Sequence, residues 1–203
     1  MLEFVDVTRR FDGNKGIFNS SWQAKMNEIT GIIGNNGCGK TTSLRIIANL
    51  QVIDKGNVLF EGKQLKWNDV TIVSEKRALY LDVSVYEHIR LMCKLNGMDN
   101  IEALIDEWLE MLEISEYKNT KIIELSKGNQ QLVQIICGII HTPKIILLDE
   151  PFNGLDTSKT RLLINLLHSL KKGRVILVVF HQHELEQLLC DSVVDISTRG
   201  DIK

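Results

Sequence analysis

Eight residues dictate most of what this chain can become: Gly34-Asn35-Asn36-Gly37-Cys38-Gly39-Lys40-Thr41. The run has the form G-x-x-x-x-G-K-[ST] and sits between two telling neighbours. Before it comes a short apolar stretch at 29–33. After it comes a helical pattern from Thr41 that turns Leu44, Ile47 and Ala48 inward. Small residues let a backbone bend around an anion with several N–H groups pointing inward, and the following helix N-terminus adds a favourable dipole. In such a loop Lys40 reaches the terminal phosphates and the Thr41 hydroxyl holds Mg²⁺. Average composition gives a chance match in roughly one chain per hundred of this length, so a mere glycine-rich turn is the weaker reading.

A second signal lies at Ile145-Ile146-Leu147-Leu148-Asp149-Glu150. A buried strand here delivers two carboxylates at its C-terminal end, where open α/β sheets bind ligands. Asp149 is placed to reach the Mg²⁺ shell and Glu150 to polarise an attacking water. Guanine-reading DxxG and NKxD sequences are absent, which excludes a GTPase.

Around these motifs the pattern is strand and helix in alternation, which implies a mostly parallel sheet. Residues 2–7 alternate like an edge strand, and short strands are expected at 29–33, 58–60, 144–149 and 174–180. Residues 83–141 turn mostly helical and read as an insertion between two strands. Within that block Ile101, Leu104, Ile105, Trp108 and Leu112 mark one amphipathic helix. Helices are also expected at 159–172, closed by Gly173 with Lys171 and Lys172 as end cations, and at 183–190. Arg9-Arg10 reads as a solvated pair beside Phe11.

Charge and cysteine usage narrow the partners. With 24 Lys+Arg against 26 Asp+Glu the net charge is −2, so there is no strong electrostatic footprint for nucleic acid. The longest apolar runs, at 135–140 and 175–180, fall far short of the ~20 residues that span a bilayer. The acidic, alternating N-terminus is not a secretory signal. Four cysteines (38, 93, 137 and 190) at least 44 positions apart read as free thiols of a reducing compartment.

Seven segments in order then carry a resemblance over nearly the whole chain. Residues 34–42, ending at Thr42, resemble a Walker A loop, and 145–150 resemble Walker B. Leu125-Ser126-Lys127-Gly128-Asn129-Gln130-Gln131 is similar to an LSGGQ signature, and Pro151-Phe152-Asn153-Gly154-Leu155-Asp156 to a D-loop. His181 resembles a switch histidine, Phe11 an adenine-stacking aromatic, and 73–80 a Q-loop with Glu75 in place of Gln. Together they resemble the ATP-binding subunit of an ABC transporter, exporter-like in its Lys127 signature.

The resemblance implies an α/β P-loop NTPase core with a mostly parallel sheet, a small antiparallel β-subdomain and an inserted α-helical subdomain. The core with its β-subdomain would take 1–82 and 142–203, and the helical subdomain about 83–141. It implies ATP bound by Phe11 and by Gly34, Asn35, Asn36, Gly37, Cys38, Gly39, Lys40, Thr41 and Thr42. From a second, head-to-tail copy or related subunit come Ser126, Lys127, Gly128, Asn129 and Asp156. Thr41, Glu75 and Asp149 would hold Mg²⁺, and Glu150 and His181 would serve hydrolysis. The partner implied is a multi-span membrane permease encoded elsewhere, probed from the cytoplasmic face and driven toward efflux. The chain leaves no room for the C-terminal helices or regulatory domain that the family often adds. The alternatives are a non-transport ABC ATPase in repair, chromosome organisation or translation, and a small-molecule kinase. Neither a heptad run nor a second phosphate loop supports the first. A kinase leaves the signature unexplained.

Overall fold

A computed structural model describes residues 1–11, 15–180 and 183–197 of the chain. Two compact units divide it: 1–72 with 143–150 and 167–203, and 73–142 with 151–166.

The first unit carries both sheets. Strands β1 (Leu2–Arg10), β2 (Gly16–Ala24), β4 (Lys55–Phe60) and β5 (Lys63–Gln64) form an antiparallel sheet in the order β2-β1-β4-β5. β1 is therefore interior to this sheet. The edge position expected from its alternation is corrected, because β2 and β4 both pair with it. The second sheet has the order β6-β7-β8-β3-β9, from β3 (Glu28–Ile33), β6 (Val70–Val73), β7 (Ile145–Asp149), β8 (Val175–Val179) and β9 (Ser192–Asp195). β3 runs parallel to β8 and β9, and β7 parallel to β8. All five residues of β7 and of β8 are buried, as strands covered on both faces must be, and this explains their unbroken Ile/Leu/Val runs. One core joins the two sheets: Leu2, Phe4 and Val7 lie in the same cluster as Ile32, Leu147 and Leu177.

Helix α1 (Lys40–Ile47) follows β3 and buries Leu44, Ile46 and Ile47. At the far edge, α6 (His183–Leu189) leads into β9. Asp191, between them, accepts from the Ile29 N–H at 2.8 Å and from Lys171 Nζ at 2.6 Å. Lys171 is thus half of an ion pair rather than only a helix-end charge.

The second unit is helical: α2 (Val85–Leu95), α3 (Glu102–Met111), α4 (Lys127–Ile139) and most of α5 (Thr157–Leu170). Ser84 starts α2 with a reciprocal cap, accepting from the Glu87 N–H while its own N–H donates to the Glu87 carboxylate. Ile101, Ile105, Trp108 and Leu112 are buried as the periodicity of α3 required; Leu104 is only half-buried, Leu109 is buried in addition, and Met111 stays exposed. α2 packs against α3 and α4.

His88 on α2 is 1% exposed, its ring meets Tyr80 edge-on, and neither nitrogen has a hydrogen-bond partner among the described residues. Burial lowers its pKa, and that of His141 as well. The unfolded chain therefore binds protons that the folded one refuses. Stability is complete above the unfolded value of about 6.5 and is lost as pH falls below it. Melting temperature should drop between pH 7 and pH 5.5 in the wild type and follow a shallower slope in His88→Phe. Equal slopes for the two proteins would disprove this origin.

Candidate nucleotide site

The chain leaves β3 at Ile33 and enters α1 at Lys40, so six residues must reverse and wrap. Gly39 does so with φ of 109°, where a Cβ would lie 2.7 Å from the Ile17 side chain. Gly34, at φ 149°, leaves the space that the Cys38 thiol fills; a Cβ there would lie 2.6 Å from Sγ. No side chain caps α1 and its first turn holds no acid, so its positive dipole end faces the loop uncompensated. Lys40, 7% exposed, folds back over that loop and donates from Nζ to the Gly34 carbonyl at 2.7 Å and the Asn35 carbonyl at 3.3 Å. Asn35, Asn36 and Gly37 remain exposed at its rim. Thr42, one residue beyond the loop, is half-buried on α1.

Thr41 brings the second motif in. Its hydroxyl donates to Asp149 Oδ1 at 3.1 Å, across the sheet from β3 to the end of β7. A hydroxyl and a carboxylate oxygen at the mouth of a phosphate loop are the hard donors that Mg²⁺ takes, so the residues present fit that ion. Glu150 follows at once, 8% exposed, with φ of 54° and its N–H donating to the Val179 carbonyl at 2.9 Å. A left-handed conformation at a non-glycine residue costs of order 1–3 kcal/mol and persists where the surroundings dictate it. Here it fixes the side chain at the strand end.

Along the loop's flank lies a cleft of about 230 Å³, lined by Lys15, Ile17, Phe18, Asn36, Cys38 and Ile196. Phe11 stands at the end of β1, its N–H donating to the Lys15 carbonyl, and is 39% exposed. Ile17, and Ser197 whose hydroxyl accepts from the Asn35 N–H at 3.2 Å, were not anticipated. Nothing in the local sequence marks Ile17, whose place beside the loop follows from its burial in β2.

The remaining expected residues belong to the helical unit. Ser126 caps α4, accepting from the Asn129 N–H at 3.2 Å, and both Ser126 and Lys127 are exposed. Gly128 is buried beside the Gly154 carbonyl, where a Cβ would come within 2.8 Å of that oxygen. Signature and D-loop are thus in contact. Asn129 is 4% exposed, and its side-chain oxygen has no hydrogen-bond partner among the described residues. Asp156 accepts from the Lys159 N–H at 2.9 Å as the cap of α5, and this bond holds its carboxyl below the usual range. Glu75 is exposed, just after the Ser74 carbonyl that accepts from Gln134 Nε2 at 2.7 Å. His181 lies outside the described residues.

The ABC transporter family pattern matches residues 17–153. An ABC transporter ATP-binding protein of Methanocaldococcus jannaschii is 42% identical over 196 residues, covering 95% of this chain and 72% of that protein. A methionine import ATP-binding protein of Clostridium acetobutylicum is 33% identical over 217 residues, covering 100% of this chain and 68% of that one. Among solved structures, the ATP-binding subunit of an ABC transporter superposes with a TM-score of 0.86 at 25% identity, over 96% of this chain and 85% of its own. Among the described residues, no helix is long and apolar enough to cross a membrane. The chain belongs to the ABC transporter ATP-binding family and is an ATPase subunit of that kind.

Proposed function

We propose that this subunit hydrolyses MgATP between two head-to-tail copies, or one copy and a related subunit, and thereby drives a separate multi-span permease from the cytoplasmic face of the membrane. The observation that carries the reading is the Thr41–Asp149 hydrogen bond, which ties the phosphate loop to the strand-end acids. Lys40 and the loop N–H groups bind the triphosphate, and Phe11 stacks on the base. Thr41 and Asp149 would hold Mg²⁺, which would supply charge neutralisation, and the Glu75 carboxylate is a further oxygen that the family resemblance offers to it. Glu150 accepts the proton of the attacking water, and His181 contacts the terminal phosphate. From the second subunit, the Ser126 hydroxyl, Lys127 and the Gly128 backbone meet that phosphate, while Asp156 crosses the interface.

The Lys127 signature supports export, and the likeness to a methionine importer supports the opposite direction. Affinity purification from the native membrane, followed by ATPase and vesicle transport assays of the complex, tests all of this. A co-purifying multi-span protein that stimulates hydrolysis is expected, and the side on which substrate accumulates assigns direction. Hydrolysis that no membrane protein accompanies or alters would overturn the transport reading.

A further inference from the structure

The end of β1 holds more machinery than a solvated arginine needs. Arg9 places its guanidinium carbon 5.1 Å from the centroid of the Phe11 ring, within cation–π range. Its edge is occupied as well. Nη1 donates to Asp54 Oδ1 at 3.2 Å, and Gln51, with its amide oxygen turned toward Arg9, accepts from Nε and Nη2 at 3.0 Å each. Asp54 is itself fixed: its other carboxylate oxygen accepts from the Arg10 N–H at 2.7 Å, and its N–H donates to the Thr8 carbonyl at 2.8 Å. The Arg10 N–H, and behind it Arg9, keep that carboxyl ionised by lowering its pKa.

An exposed ion pair by itself contributes little to stability. What the three residues achieve is orientation. Guanidinium nitrogens satisfied by Asp54 and Gln51 leave the group's flat face for the ring, and the plane is set from two sides. Phe11 keeps 39% exposure, so aromatic surface remains for a second flat ligand.

We infer that Arg9, clamped by Asp54 and Gln51, is a positioning residue that backs the Phe11 ring and presets it for the purine base of the nucleotide. The inference rests on the base-stacking role proposed for Phe11. It assigns the selectivity of this end of the site to the base and not to the phosphates.

Calorimetric titration of the full chain with ATP and, separately, with inorganic tripolyphosphate tests it. Arg9→Gln is expected to raise the Kd for ATP about three- to fivefold and to leave that for tripolyphosphate unchanged. Asp54→Asn should act in the same direction to a smaller degree, and Arg9→Lys should recover part of the loss. Phe11→Ala should weaken ATP about tenfold with the same indifference to tripolyphosphate. The double variant Arg9→Gln/Phe11→Ala should be no worse than Phe11→Ala, since Arg9 acts through the ring. Equal loss for both ligands in Arg9→Gln, or no loss for either, would overturn the inference while leaving Phe11 in place. An unchanged ATP affinity in Phe11→Ala would instead remove the base-stacking reading itself.

Discussion

Glu150→Gln is expected to stop hydrolysis and spare binding. Phosphate release should fall about 10²–10⁴-fold, the range that a positioned proton acceptor supplies, while the Kd for ATP stays within about threefold. The substitution keeps the side chain's length and removes only its ability to take a proton. Fold should survive: the residue sits at φ 54° with its N–H on the Val179 carbonyl, and neither depends on charge. An ATP-bound dimer that persists on gel filtration should be the visible consequence, because closure is retained and its release is not. A variant that keeps more than a tenth of the rate would assign the proton to another group.

Lys40→Ala is expected to act one step earlier. The ammonium crosses the loop to the Gly34 and Asn35 carbonyls, so it both shapes the loop and carries its charge. Hydrogen bonds to a charged group contribute about 1.5–3 kcal/mol each. Truncating one partner of a buried charged pair costs about 2–5 kcal/mol. ATP affinity should therefore fall about a hundredfold or more, read by titration with a fluorescent nucleotide, with hydrolysis lost in parallel. Lys40→Arg should not restore it, because a planar fork cannot occupy the space of a compact ammonium that is 7% exposed. A loss under about fivefold in Lys40→Ala would show that the loop N–H groups bind phosphate unaided.

Much of this site was legible because both motifs are local. Residues 34–41 specify a loop by their own backbone freedom, and the unbroken apolar run of β7 announces a buried strand wherever it pairs. β2 was not anticipated, since its half-buried face sets the polar Ser20 between Phe18 and Trp22, and that breaks the apolar alternation a strand reading needs. β6 and β9 are four residues each, too short for a period to register. The left-handed turn at Glu150 is imposed by the sheet and is invisible in the identity of the residue. Arg9 gives the plainest case: it read as a solvated charge because Asp54, 45 positions away, supplies its orientation only after β1 and β4 are brought together.

The order β7-β8-β3 makes β8 a ruler. One strand stands between the strand that feeds the phosphate loop and the strand that ends in Asp149, and two strand spacings set their separation at roughly 9.5 Å. That gap is narrow enough for the Thr41 side chain, at the start of α1, to reach Asp149 at 3.1 Å. The dimension is independent of any residue in the loop. β8 is five buried aliphatic residues with no chemistry of their own, and its contribution to catalysis is a fixed distance.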